Sequence, residues 1–175
     1  HMRDEGERIA DSLREAFAIG AEAQIPVVIS HHKCSGAPSH GRSAETLTLI
    51  DQASKGQPIG LDAYPYTAGS TVLSAIGNLL PERVLITWSE PFPEAAGREL
   101  SEIAEELAMS EQEAVEALSP GGGIFFMMDE EDVRRILAFP NTMIGSDGLP
   151  SDVYPHPRLW GTFPRVLGHY VRDVK

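Results

Sequence analysis

The order of hydrophobic and polar residues predicts alternating helices and strands in the first third of the chain. Between Asp4 and Ala23, hydrophobic residues recur at helical spacing opposite a charged face, which indicates an amphipathic helix. The stripe consists of Ile9, Leu13, Phe17 and Gly20. The runs "QIPVVIS" and "PIGLDAYP" are typical of buried strands, and "SAETLTLIDQAS" between them predicts a second helix that Ser43 can cap. This α-β-α-β order predicts a parallel sheet.

The pattern changes between Ala68 and Phe126. This stretch holds the apolar run "VLITW", a proline-rich segment, two acidic helical stretches and the segment "SPGGG", for which we expect flexibility. Ser110 and Glu113 match a capping box at the second helical stretch. After it the β-α-β rhythm resumes with "IFFMM", "DEEDVRRILAF" and "NTMIGSD". We therefore predict one α/β domain with β/α units at residues 1–67 and 127–175 and a small inserted subdomain at residues 68–126.

Composition and charge limit the classes of function. A chain of 175 residues with 42% hydrophobic content is long enough to bury one sizeable core. Its 14 Lys and Arg against 26 Asp and Glu give a net charge of −12, which disfavours nucleic acid or an anionic membrane as the partner and favours small molecules. A single cysteine excludes an internal disulfide framework, and no apolar run approaches the roughly 20 residues that span a bilayer. We expect a soluble, cytoplasmic protein.

Polar residues follow three of the predicted strands directly: His31 with Lys33, Asp62 with Tyr64, and Asp147. The carboxyl ends of the strands in a (β/α) barrel meet at one mouth, so these side chains could converge. Imidazole and carboxylate groups both suit a zinc ion that keeps one position open for water.

Each candidate also has a structural interpretation. On spacing alone, His31 is more often a hydrogen-bonded histidine at a strand end than a metal ligand. We expect His32 to face away from it, because successive residues of a strand alternate sides. Cys34 could be a nucleophile, but buried or loop thiols are far more often inert.

Five stretches of the chain resemble the N-acyl-D-amino-acid deacylases, or D-aminoacylases, of the metal-dependent amidohydrolase superfamily. They are "HMRDEG", "ISHHK", "LDAYPYTAGST", "TMIGSDGLP" and "HPRLWGTFPRVLGHY", and the likeness covers essentially the whole chain. The resemblance implies the C-terminal part of a deformed (β/α)8 TIM-type barrel, a zinc ion at the strand ends, and hydrolysis of the amide bond of an N-acyl-D-amino acid.

The resemblance also implies roles for single residues. His1 and His31 match metal ligands, and Asp147 matches an aspartate that acts as general base and can touch a second metal. A His-x-His pair and a cysteine of the family belong to early strands that this chain does not contain, and Cys34 does not match that cysteine.

The substrate-binding positions follow in the same way. Lys33, Tyr64 and Arg158 match residues that hold the α-carboxylate of the substrate, a task that suits the planar fork of arginine. On pattern alone, a surface charge or a core tyrosine would be the favoured interpretation of each. Positions that border the side-chain pocket match Leu79, Phe125 and Met128, which predicts an apolar D-amino acid, although such residues are more often simply core.

The missing early strands leave two classes of function open. We expect an enzyme fragment that is inactive without the N-terminal half of the barrel, its expected partner. The alternative is a non-catalytic half-barrel that serves in folding or interaction. A related cyclic amidase is a third possibility, which "HPRLWG" disfavours.

Overall fold

The computed structural model describes residues 1–174, without the side chains of Asn78 and Val174, and contains two three-stranded sheets. The strands are β1 (Val27–Ile29), β2 (Ile59–Ala63), β3 (Ala68–Val72), β4 (Arg83–Ser89), β5 (Gly121–Phe126) and β6 (Thr142–Ile144). The helices are α1 (Ile9–Ala23), α2 (Ser43–Ser54), α3 (Ile76–Leu79), α4 (Leu100–Glu106), α5 (Glu111–Ala117), α6 (Glu130–Leu137) and α7 (Arg158–Arg165), which continues as a π-helix (Val166–Val174). No helix in residues 1–174 is long and apolar enough to cross a membrane.

The first sheet is parallel, as the order of elements predicts, with the strand order β1-β2-β6. One face packs against helices in a core formed by Leu13, Ile29, Leu47, Ile50, Leu61, Ala63 and Ile136. On the other face, Val28 and Met143 are 53% and 47% exposed, although both are apolar. The sheet is thus covered on one side by its own helices, and apolar residues lie open on the other.

The second sheet is antiparallel, with the order β3-β5-β4, and all its strands lie between Ala68 and Phe126. The flexibility predicted for "SPGGG" is wrong, because residues 121–123 form the first half of the central strand β5. A Cβ atom at Gly122 would lie 2.8 Å from Thr87 Oγ1, so these glycines allow close approach of neighbouring groups. "IFFMM" was likewise expected to resume the β/α rhythm, but β5 pairs only within this antiparallel sheet.

Capping was predicted correctly at α5 and wrongly at α2. Ser110 and Glu113 form the capping box, with the Ser110 amide donating to Glu113 Oε2 over 2.8 Å. Ser43, by contrast, is the first residue of α2, and its amide donates to Asp132 Oδ1 over 3.1 Å. The buried Asp132 carboxylate also accepts from the Gly41 amide at 2.7 Å, so a residue of α6 caps α2.

Candidate active site

Local contacts fix the segment before α1 beside the end of β1. Asp4 Oδ1 accepts hydrogen bonds from the amides of Gly6 and Arg8, at 2.9 and 3.1 Å. The Ser35 amide donates to the Glu5 carbonyl oxygen over 2.8 Å, which ties this segment to "HHKCSG". The side chains of His1 and Glu5 are therefore brought next to His31.

His31 follows β1 in a left-handed backbone conformation, with φ 42°. Its amide donates to Asp62 Oδ1 over 2.9 Å, so Asp62 holds the backbone of this turn. The His31 ring points to the N-terminal segment, where Nε2 lies 2.6 Å from His1 Nδ1 and Nδ1 lies 2.9 Å from Glu5 Oε1. The two histidines that match metal ligands thus face each other through one nitrogen each.

Lys33 and Glu5 form a largely buried ion pair beside this ring. Lys33 Nζ lies 2.8 Å from both Glu5 carboxylate oxygens and 2.7 Å from His31 Nδ1. Burial would raise the pKa of Glu5, but the Lys33 charge and the His31 contact outweigh it and lower that pKa to about 2. The carboxylate is therefore ionised at neutral pH.

Arg158 connects Asp147 to Tyr64. Although it is a charged residue, Arg158 is only 2% exposed. Its Nη2 lies 3.0 Å from Asp147 Oδ2 and donates to the Ser70 carbonyl oxygen over 3.0 Å. Its guanidinium carbon lies 4.6 Å from the centre of the Tyr64 ring, a distance typical of a cation–π contact. Burial raises the pKa of Tyr64, which keeps the hydroxyl protonated.

These residues line one cavity of about 320 Å³ at the carboxyl ends of the parallel strands. Its polar side is formed by His1, Glu5, His31, Lys33, Tyr64, Ser70, Asp147 and Arg158. Its apolar side is formed by Ala75, Leu79, Met127 and Leu149. The structure thus brings together seven of the nine residues singled out by the sequence.

Phe125 and Met128 are the two predicted residues that do not border this cavity. Phe125 is fully buried in the core of the antiparallel sheet. Met128 borders a separate, small cavity together with His32 and Cys34. Met127 lines the main cavity instead and lies against Gly69, where a Cβ atom would be 2.9 Å from Met127 Cε.

His32 and Cys34 lie behind the cavity wall. As strand alternation predicts, His32 faces away from His31 toward α2, where its Nε2 lies 2.9 Å from Thr46 Oγ1. Burial, helped by the Lys33 charge, lowers the pKa of His32 to about 4. Burial, helped by Asp132, raises the pKa of Cys34 to about 12, so the thiol stays protonated and is a poor nucleophile.

The His1–His31 pair fits part of a zinc site. Neutral imidazole nitrogens are good zinc ligands, but a zinc ion takes about four ligands in tetrahedral geometry. Within residues 1–174, no three His, Cys, Asp or Glu side chains lie close enough together to hold a metal ion. Asp147 is placed beside Arg158, and its role as a metal ligand and general base stays a prediction.

Comparison with known proteins gives sequence relatives along the whole chain. D-aminoacylase of Alcaligenes xylosoxydans xylosoxydans is 62% identical over 174 residues, which are 99% of this chain and 36% of that protein. N-acyl-D-aspartate deacylase and N-acyl-D-glutamate deacylase of the same organism are 49% and 44% identical, over 35% and 36% of their lengths. Over its whole length, the chain is therefore similar to a part of the N-acyl-D-amino-acid deacylases. It spans about a third of the length of these relatives, and no protein-family profile matches it.

Solved structures of the deacylase family have the same fold over this region. A crystal structure of D-aminoacylase matches 99% of this chain and 37% of its own, with a TM-score of 0.96 at 61% identity. A second D-aminoacylase structure, from work on a binuclear metal centre activated by one metal and attenuated by the second, matches with a TM-score of 0.95. N-acyl-D-glutamate deacylase from Bordetella bronchiseptica, complexed with zinc and a phosphonate mimic of the tetrahedral intermediate, matches with a TM-score of 0.94 at 44% identity. The resemblance inferred from the sequence motifs is confirmed.

Sequence patterns missed Glu5. It precedes a helix, whereas the strand-end pattern applies only to residues that follow strands, and an isolated glutamate before a helix is usually a solvated surface residue. The signal available was its place four residues after His1 in "HMRDEG", a stretch already singled out as a family motif.

Proposed function

We propose that this chain forms part of the active site of a zinc-dependent hydrolase that cleaves N-acyl-D-amino acids into a D-amino acid and a carboxylate. The observation that supports it most strongly is the convergence of His1, His31, Lys33, Asp147 and Arg158 on one cavity. These residues come from places as far apart in the chain as its first residue and α7.

The parallel sheet would be part of a (β/α)8 barrel. In a barrel, one face of each strand is covered by helices and the other faces the interior. The face that carries Val28 and Met143 would be that interior face, which accounts for apolar side chains left open in this chain. The cavity would then lie at the mouth, where catalytic residues of such barrels collect.

The histidine pair would contribute two of the zinc ligands, with the others supplied from outside this chain. A zinc ion held there would polarise the amide carbonyl and lower the pKa of a water molecule. Asp147 would take a proton from the attacking water and deliver it to the leaving amine, which a carboxylate can do because it is ionised at neutral pH yet can carry a proton briefly.

Substrate recognition would combine a carboxylate clamp with an apolar wall. Arg158 and Lys33 would bind the α-carboxylate, and the Tyr64 hydroxyl, for which the described residues supply no hydrogen-bond partner, would donate to it. Leu79 and Met127 would contact the side chain of the substrate, so an apolar D-amino acid is favoured over an acidic one. The carboxylate clamp, the contact to the amide carbonyl and the pocket for the substrate side chain would together set the preference for the D-enantiomer.

A chimaera tests this proposal without the need to know what lies beyond the chain. Residues 1–174 replace the matching third of the 62%-identical D-aminoacylase, and hydrolysis of N-acetyl-D-methionine is measured. We expect the chimaera to be active. His31→Ala should abolish both activity and bound zinc, because an open zinc site does not keep its geometry when one ligand is removed. Asp147→Asn should remove turnover, and Arg158→Lys should mainly raise KM.

The matched control is His32→Gln, which should keep zinc and turnover. An inactive but folded chimaera would favour the non-catalytic alternative. The chain by itself should hydrolyse N-acetyl-D-methionine negligibly, because two imidazoles do not complete a zinc site. Turnover on the order of 1 per second by the chain alone would contradict this part of the proposal.

A further inference from the structure

Gly69 lies where the two sides of the proposed substrate site meet. It is a buried residue of β3 that borders the main cavity. A Cβ atom at this position would lie 2.9 Å from Met127 Cε, 3.1 Å from Tyr64 Oη and 3.7 Å from Arg158 Nη1. Tyr64 and Arg158 belong to the proposed carboxylate clamp and Met127 to the apolar wall, whereas Gly69 itself has no task in the proposed function.

The backbone at Gly69 does not require a glycine, because its φ lies outside the left-handed region. Glycine inside a strand often marks a bulge or bend, a close approach of another backbone segment, or a place where a ligand comes near. Gly69 pairs with Phe125, and the antiparallel register continues unshifted along the whole of β3, which excludes a bulge or a sharp bend. The three atoms nearest to the missing Cβ all belong to side chains, so no other backbone segment crowds this position. The approach of a ligand is the explanation that is left.

The neighbours of Gly69 differ in how far they can move. Met127 is unbranched, and its terminal methyl group can rotate away. Tyr64, in contrast, is only 4% exposed, and its ring lies against the Arg158 guanidinium. A Cβ atom 3.1 Å from Tyr64 Oη is closer than an ordinary van der Waals contact, so a side chain at position 69 would press on this hydroxyl.

The same hydroxyl is the group that the proposed function needs free. It is buried and has no hydrogen-bond partner among the described residues, so it is available to donate to a substrate carboxylate. In an N-acyl amino acid, the α-carbon is bonded directly to both the carboxylate and the side chain. A substrate can therefore use the clamp and the apolar wall together only if its α-carbon fits between them, beside Gly69.

We propose that Gly69 is a positioning residue: its lack of a side chain keeps open the gap in which the α-carbon of the substrate lies between the carboxylate clamp and the apolar wall. This inference rests on the proposed function. Gly69 acts through Tyr64, whose hydroxyl keeps its place only while position 69 carries no side chain.

Gly69→Ala in the chimaera tests this inference, with hydrolysis of N-acetyl-D-methionine as the assay. We expect KM to rise about tenfold or more, the effect of weakening one hydrogen bond to a charged group, and kcat to fall by a smaller factor. Gly77→Ala is the matched control and should leave both constants unchanged, because a Cβ atom at Gly77 meets no more distant described residue within 4 Å. Circular dichroism checks that the variants are folded.

A second comparison separates an effect through Tyr64 from a general effect on folding. In the Tyr64→Phe chimaera the crowded oxygen is gone, so the addition of Gly69→Ala should change KM by no more than about twofold. This pair remains decisive even where Gly69→Ala alone does not fold. A tenfold rise of KM in the Tyr64→Phe background as well, or an unchanged KM in folded Gly69→Ala, would overturn the inference. An inactive unaltered chimaera would count against the proposed function and the inference alike, whereas an active chimaera with an insensitive KM refutes only the positioning role.

Discussion

His31 and His32 are adjacent, yet the structure predicts opposite consequences for their removal. His32 is 2% exposed and lies among residues of the core behind the cavity, whereas the His31 ring borders the cavity. We expect His32→Ala to destabilise the chain and His31→Ala to have little effect on stability. Under the proposed function, the order should be reversed for zinc binding and activity.

The expected loss of stability in His32→Ala follows from three contributions. Deletion of a buried side chain of this size costs about 2–5 kcal/mol. Loss of the hydrogen bond to Thr46 adds about 1 kcal/mol, although Thr46 keeps a second bond to the Ser43 carbonyl oxygen. The His32 Nδ1 atom has no partner among the described residues, so its removal returns about 1–3 kcal/mol. The net expectation is a loss of about 2–3 kcal/mol.

Urea unfolding of the chain, followed by circular dichroism, measures this difference. With a slope of about 2 kcal/mol per molar urea, His32→Ala should lower the midpoint by about 1 M. His31→Ala should change the free energy of unfolding by less than about 1 kcal/mol, because the Glu5–Lys33 ion pair remains. His32→Gln, which can still reach Thr46, should recover part of the loss. A larger loss in His31→Ala than in His32→Ala would refute the assignment of the two rings.

Three further predictions concern buried residues outside the lining of the cavity. Burial, with the Arg158 charge, lowers the pKa of His156 from 6.5 to about 4, so the unfolded chain takes up a proton there at higher pH than the folded chain. The stability contributed by neutral His156 is therefore complete above pH 6.5 and falls as the pH drops toward 4. His156→Asn keeps an acceptor for the Arg158 amide, so it should flatten the plot of urea midpoint against pH between pH 6.5 and 4. An unchanged slope in this range would contradict a buried, neutral His156. Cys34 should react with a thiol reagent about 1,000-fold more slowly in the folded chain than in urea, since its pKa rises from about 9 to about 12, and equal rates would disprove its burial. Asp132→Ala should lower the free energy of unfolding by about 2–4 kcal/mol in the urea assay, because it removes the acceptor of the buried Ser43 amide and of the Gly41 amide. Glu131→Ala on the same helix should change it by no more than about 0.5 kcal/mol, and equal losses would disprove the cap.

Much of the site could be predicted from sequence because it depends on a local rule. Side chains that directly follow parallel strands meet at one edge of the sheet, whatever the rest of the chain does. His31, Tyr64 and Asp147 obey that rule, and the structure places all three on the cavity. The family motifs added His1 and Arg158, for which strand position alone carries no signal.

The misplaced features depend on contacts between distant parts of the chain. Ser43 looks like a helix cap in its own segment, but Asp132, 89 residues further on, takes over that function. The glycines of "SPGGG" look flexible until Trp88 and Leu73 are packed against them. Met127 and Met128 are equivalent in a sequence pattern, and only the packing decides which one reaches the cavity.

In the proposed function, the charges in the cavity would couple substrate binding to the metal. Lys33 is paired with Glu5, and Arg158 is paired with Asp147, so two positive and two negative charges cancel. A substrate carboxylate that entered this neutral set, as proposed, would compete with two resident carboxylates for the same cations, within a chain of net charge −12. A divalent cation at the His1–His31 pair would change the local sum from zero to +2. The clamp would then bind an anion most strongly when the metal is in place, because the two resident ion pairs need not be broken to accommodate the extra negative charge.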